Sequence, residues 1–137
     1  MIIVSACLAG VNCRYDGVNN YSEKVIRLVK DGKVILVCPE QLGGLSTPRK
    51  PSEIKNGKVV NQDGICVNSQ FEKGALETLK IALMYGCDKA IMQERSPSCG
   101  VKKIYNGNFN LTLIAGQGIT TKLLLKNKIK VISSEDL

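Results

Sequence analysis

A chain of 137 residues, 44% hydrophobic and 23% charged, is sized for a single domain around one core, spanning residues 1–137. It has no apolar run near the roughly 18 residues of a membrane span, and its start lacks the basic and apolar regions of a secretory leader, so a cytoplasmic protein with no membrane attachment is expected. The net charge of +7 favours an anionic partner, the 4% aromatic content without Trp argues against stacking a long nucleic-acid strand, and the absence of histidine removes every imidazole-based mechanism and metal site.

The chain opens on Met1-Ile2-Ile3-Val4, a β-branched run that reads as a buried strand and leads into a loop holding Cys7, Cys13 and Arg14. Ser22 is placed to cap a short amphipathic helix through Val25, Ile26, Leu28 and Val29, with Gly32 as its stop. Strand two, Lys33–Val37, runs into Cys38-Pro39-Glu40, and a long loop rich in Gly, Pro and cations follows through Pro51. Loops of that length inside a compact domain tend to be functional. Asn56-Gly57 signals a tight hairpin within a small antiparallel insertion over residues 52–66. Ser69-Gln70-Phe71-Glu72 has capping-box spacing ahead of apolar residues at helical period, which predicts a helix over about 69–86 ending at Gly86. Asp88–Glu94 reads as strand three, leading into Ser96-Pro97-Ser98-Cys99-Gly100. Asn106-Gly107 between Lys103–Tyr105 and Asn108–Asn110 predicts a second hairpin. Gly116-Gln117-Gly118 opens a last helix through Leu125, and Ile129–Ile132 closes the chain as a strand.

This alternation predicts an α/β fold: an open, mostly parallel, Rossmann-like sheet of about four strands, with helices on both faces and small β-hairpin insertions. In such sheets ligands sit beyond the carboxyl ends of the strands. With the first strand central, Cys7, Cys38 and Cys99 converge there.

Six cysteines without a Cys-x-x-Cys pair argue against a zinc ribbon or a thioredoxin-type redox pair. Taken singly, each of Cys7, Cys38 and Cys99 reads more readily as a small buried hydrophobe than as a ligand. Taken together, each at or just past a strand end beside Gly, Pro or Ser, they point to a shared metal site, and thiolates without histidine suit an iron–sulfur cluster. Cys13 is a rival ligand, while Cys66 and Cys87 read as packing residues. Glu40, held by Pro39, is a candidate acid or base beside the metal, against the plainer fate of a solvated loop carboxylate. Ser96 and Ser98 offer hydroxyls or simply form a turn. Gly116 and Gly118 are candidates for an anion cradle at a helix start, with a plain turn as the alternative. Arg14, Arg49 and Lys50 are candidates to grip a phosphate from the same rim.

Six ordered motifs then carry a resemblance over essentially the whole chain: Ser5-Ala6-Cys7-Leu8, Cys13-Arg14-Tyr15-Asp16-Gly17, Cys38-Pro39-Glu40, Gly43 to Arg49, Ser96 to Gly100, and Gly116 to Thr120. The chain resembles the thiouracil desulfidase family, with Ser46 standing where proline is expected. The resemblance implies a non-redox desulfidase with a [4Fe-4S] cluster held by three cysteines, matching Cys7, Cys38 and Cys99, and one open iron that takes the substrate's sulfur. It implies Glu40 as the catalytic acid/base and Ser96 as an assisting hydroxyl. Water replaces sulfur on a thiolated uracil base or nucleotide, and the sulfur leaves as hydrogen sulfide. The expected partner is that small thiolated pyrimidine, with thiolated tRNA ranked behind it and no stable protein partner indicated. Two alternatives from other classes stand beside the enzyme: a non-catalytic metal-binding or sulfur-carrier module, and a metal-free nucleotide-binding module.

Overall fold

The computed structural model describes residues 1–137. Its centre is a four-stranded parallel sheet built from β1 (Ile2–Ser5), β2 (Val34–Val37), β5 (Lys89–Met92) and β8 (Lys130–Ser133), in the order β2-β1-β5-β8. Strand β1 is therefore internal, and the connection direction reverses between β1 and β5. That is the position where open α/β sheets form their ligand crevice.

Each central strand is apolar on both faces because both faces are covered. Ile3, Val37, Ala90 and Met92 face one way, into a core with Ala82 and Leu124 of the two longer-range helices, α3 (Asn68–Met84) and α4 (Ile119–Lys126). Val4 and Ile91 face the other way, against Val25 of α1 (Glu23–Lys30). The alternation follows the two-residue period of a strand, so one register fixes both cores. No helix is long and apolar enough to cross a membrane.

The Asn56-Gly57 hairpin forms as expected. Strand β3 (Ser52–Lys55) pairs antiparallel with β4 (Lys58–Asn61), and Asn56 and Gly57 both take positive φ, at 51° and 77°. The second hairpin differs from expectation. Strand β6 (Lys103–Tyr105) pairs with β7 (Leu113–Ala115), so Asn108–Asn110 lie in a longer loop. The reason lies in another element: the Glu53 carboxylate of β3 accepts from Gly107 N at 2.9 Å and Phe109 N at 3.2 Å. Those N–H groups serve the link between hairpins and leave the strand ladder.

Local signals held at α1, where Ser22 Oγ caps Val25 N and Gly32 has a φ of 76°. The proposed Ser69 cap is displaced. The helix α3 begins at Asn68, whose side chain accepts from Val59 N and donates to Glu72, while Ser69 is exposed. Cys66, expected in the core between Ile65 and Val67, is exposed, because this short segment bridges to Val60 at the hairpin edge with its side chain outward. Cys87 is buried, as expected.

Candidate active site

The cavity beyond the carboxyl ends of the strands has a volume of about 520 Å³, within the usual range for small-molecule sites. Cys7, Cys13, Cys38 and Cys99 all line it, with Glu40 and Ser98. The hairpins close the far side through Glu53, Tyr105 and Phe109.

Cys7 lies in the short 3₁₀ turn that follows β1. Cys38 follows β2 and caps α2 (Pro39–Leu42), with Pro39 at the first helical position, where its missing N–H has no bond to lose. Cys13 sits between them, almost fully buried. Contact with the neighbouring Cys38 and Cys7 thiols, together with burial, pushes its own pKa up. The same contact holds the Cys7 thiol below its ordinary value against the opposing effect of burial, helped by Asn20 Nδ2 at 3.5 Å. It likewise brings Cys38 down to about 7, again against burial, with the Gln41 backbone assisting. Cys99 lies across the cavity, where burial pushes its thiol up to about 12. No three Cys, Asp or Glu side chains converge closely enough to hold a single metal ion. The donors are nevertheless all sulfur, around a cavity wider than one ion.

Two carboxylates frame these thiols. Glu40 on α2 is ion-paired to Arg49, Oε1 to Nε at 3.0 Å, and both side chains are largely buried. Its Oε2 accepts from Ser98 Oγ at 2.9 Å, so Glu40 connects the Cys38 wall to the Cys99 loop. Arg49 also donates to the Cys13 carbonyl at 2.9 Å. Helix α2 is held against α3 by backbone contact: a Cβ on Gly43 would run into the Gln70 carbonyl, and one on Gly74 into that of Pro39. The glycine at Gly43 is thus required by close approach, with an ordinary helical φ of −78°.

Glu94 follows β5 and is buried. Its Oε1 accepts from the backbone N–H of Val101, Lys102 and Lys103 at 2.7, 2.9 and 3.1 Å, and Oε2 accepts from Ser133 Oγ at 2.6 Å. Burial disfavours the charge, but these donors outweigh it and bring the carboxyl to about 2. Between Glu94 and Val101 the loop turns tightly. Ser96 Oγ accepts from Ser98 N and Cys99 N, both at 3.1 Å, and contacts Ser98 Oγ at 2.9 Å.

The structure brings Cys7, Cys38, Cys99, Glu40 and Ser96 to one cavity, with Cys13 beside them. Three expectations need correction. Gly116 and Gly118 are absent from the lining, and the first N–H groups of α4 are already bonded to the Pro97 and Ser98 carbonyls. A Cβ on Gly118 would strike the Ser98 carbonyl carbon, and one on Gly116 would press Ile104, so these glycines allow close packing behind the Cys99 loop and form no anion cradle. Arg49 lines the cavity but is committed to Glu40, so it offers no free grip on a phosphate. Arg14 is largely engaged by Asp16 and Asn20, and Lys50 does not line the cavity. Three lining residues were not singled out from the sequence: Glu94, Glu53 and Arg95. The sequence places Glu94 at the end of strand three, but the strand stops at Met92 and Glu94 lies beyond it, where no local signal marks its partners.

Comparison with known proteins adds to this geometry. The family model of 2-thiouracil desulfurase matches residues 2–136. An uncharacterised protein of Bacillus subtilis (strain 168), YbbK, is 42% identical, across 100% of this chain and 97% of the relative. Among solved structures, the [4Fe-4S]-dependent thiouracil desulfidase TudS superposes with a TM-score of 0.95 at 43% identity, covering 99% of this chain and 91% of that one.

Proposed function

The chain belongs to the 2-thiouracil desulfurase family, and from that premise we propose that it removes sulfur from a thiolated uracil base or nucleotide at a [4Fe-4S] cluster held by Cys7, Cys38 and Cys99. The observation that carries this reading is the meeting of these three thiols with Glu40 in one cavity at the reversal between β1 and β5. The donor set fits the group. All candidate ligands are thiols, which favour iron–sulfur clusters, and they line one cavity of about 520 Å³. Three ligands from four thiols leave Cys13 as a neighbour, its carbonyl accepting from Arg49 at 2.9 Å and from the Cys38 thiol at 3.7 Å.

Bound there, a cluster with one iron free of protein ligands supplies a soft Lewis acid that polarises the carbon of a thiocarbonyl. The chain's own groups do the proton work. Glu40 is positioned to take a proton from water attacking that carbon. Arg49 fixes the carboxylate from the rear, and Ser98 fixes it from the cavity side. Ser96 orients Ser98 and the amide N–H of Cys99. Burial of this set excludes bulk water, which strengthens each charge-assisted contact. The alternative of a non-catalytic sulfur carrier leaves the Glu40, Arg49 and Ser98 arrangement without a use. Six cysteines, none of them paired in a disulfide, accord with action in the reducing cytoplasm.

Anaerobic reconstitution followed by thiouracil absorbance tests the reading. Loss of absorbance with stoichiometric sulfide is expected for a thiolated uracil base, nucleoside or monophosphate. Absence of turnover on all three, with iron and sulfide fully loaded, refutes it.

A further inference from the structure

Strand β7 differs from every other edge strand of the molecule. Lys33 precedes β2, Lys55 ends β3, Lys58 begins β4, Lys103 begins β6 and Lys130 begins β8. Lysine on an edge blunts pairing with another chain. β7 has no such guard. Neither a charged residue nor a proline lies between Lys103 and Lys122, the longest uncharged stretch of the chain. Yet β7 pairs on one side only, with β6, and every residue from Leu111 to Ala115 is exposed, Leu111 at 86% and Ile114 at 46%.

The hydrogen-bond pattern defines what this edge accepts. Asn106 N donates to the Thr112 carbonyl at 2.9 Å, and Gly116 N to that of Lys102 at 3.1 Å. Ile104 stands opposite Ile114, midway between those bonds, so the alternation of an antiparallel ladder makes it the pair that bonds inside the hairpin. The N–H and C=O groups of Leu113 and Ala115 therefore point outward, along the open edge. Leu111, with a φ of 61°, has left the extended conformation, so the edge ends before it. This pattern is self-complementary. Against an antiparallel second copy, Leu113 bonds with Ala115 of the copy and Ala115 with its Leu113, while Ile114 meets its own twin on the two-fold axis. Every outward donor and acceptor of the strand is then used.

We propose that two copies of this chain dimerise through β7, joining their hairpins into one continuous antiparallel sheet. Such an isologous contact closes on itself and stops at two. Main-chain bonds across a strand edge supply affinity, and the apolar side chains beside them leave water as the edge is covered. Charge favours the same occupant. Two chains of net charge +7 repel one another, and their approach is least opposed where the surface is neutral. Phe109 and Leu111 of the β6–β7 loop also line the cavity, so pairing sets one wall of each cavity beside the subunit boundary. The inference is independent of the desulfidase reading.

The test is anaerobic sedimentation of the cluster-loaded protein from about 1 µM to about 500 µM, a range that covers weak and moderate association. The mass should move reversibly from 14.9 kDa towards twice that value. Ile114→Lys sets like charges against each other on the axis and should weaken the dimer by about tenfold or more. Leu83→Lys, on the exposed surface of α3, should leave it unchanged. Register is read by linking cysteines in a Cys66→Ser background, with diamide as the oxidant. Ile114→Cys sets two Cα atoms about 4.5 Å apart across the axis, inside the span of about 4.4 to 6.8 Å that a disulfide bridges, and should link the dimer. Leu113→Cys, whose twin is displaced along the strand, should not. Wild type that stays monomeric throughout overturns the proposal, as does a dimer that survives Ile114→Lys or equal linking by the two cysteine variants. None of these readouts needs turnover, so their failure leaves the desulfidase reading intact.

Discussion

Two walls of the cavity each carry a glutamate close in sequence to a cysteine, Glu40 by Cys38 and Glu94 by Cys99, and the two are held by opposite means. Glu40 is restrained by side chains, Arg49 and Ser98, which leave it in contact with the cavity. Glu94 is 1% exposed and enclosed by four backbone N–H groups and a hydroxyl. The difference separates two functions of a buried carboxylate. Side-chain partners tune a group for chemistry, whereas amide partners use it to build backbone. Both are needed here, because the loop that Glu94 shapes presents Cys99, Ser96 and Ser98 to the group that Glu40 serves.

The strongest disruption of this arrangement is removal of sulfur from either wall. Cys7→Ser, Cys38→Ser and Cys99→Ser are each expected to lose cluster iron and sulfide and, with them, all turnover. Anaerobic spectra with iron and sulfide counts check this. Cys66→Ser, on an exposed thiol outside the cavity, should load normally. If Cys13→Ser loses the cluster while one of the three retains it, the ligand set on the Cys38 wall is different from the one proposed.

Glu40→Gln sharpens the comparison next. It keeps the shape and the Ser98 contact but removes the base, so turnover should fall about a thousandfold while cluster content is preserved. Glu94→Gln should behave in the reverse sense, with a loss of stability of about 3 kcal/mol, the scale of a carboxyl held at about 2. Its folded-state pKa lies below the ordinary 4.5, so the stabilisation is fully present above about pH 4.5 and is lost as pH falls through about 2. Chemical unfolding of the metal-free protein across that window should show a steep acid slope for wild type and a flatter one for the variant. An equal slope in both removes Glu94 as the loop's anchor.

The unequal visibility of these two glutamates in the sequence has a physical basis. Glu40 could be read because Cys38-Pro39-Glu40 compresses a ligand type, a rigid residue and a carboxylate into three positions. Glu94 could not, because its partners lie seven to nine residues downstream on backbone atoms and at Ser133 in another strand. The same divide runs through the fold. β-Branched runs gave the four parallel strands, and Asn56-Gly57 gave the first hairpin, since these are local preferences. The second Asn-Gly pair failed because Glu53, more than fifty positions away, captures Gly107 N. Gly116 and Gly118 were misread for a related reason. Their use is close approach to Ile104 and Ser98, which spacing alone does not distinguish from an anion cradle.

The smallest expected effect tests the contact that joins the two walls. Ser98 Oγ lies 2.9 Å from Glu40 Oε2 and 3.5 Å from Cys99 Sγ, so its hydroxyl belongs to the Cys99 loop but acts on the opposite carboxylate. Ser98→Ala should lower kcat by about tenfold, the scale of one hydrogen bond to a charged group, with cluster content unchanged. Ser96→Ala has a different expected signature. Its hydroxyl accepts from two amide N–H groups, so its removal should also lower thermal stability. The decisive measurement is the double-mutant cycle of Ser98→Ala with Glu40→Gln. If Ser98 works by orienting the Glu40 carboxylate, it has nothing left to orient in the Glu40→Gln background, and the tenfold loss should nearly vanish there. Full additivity would instead mean that the walls act independently and that the 2.9 Å contact is incidental to turnover.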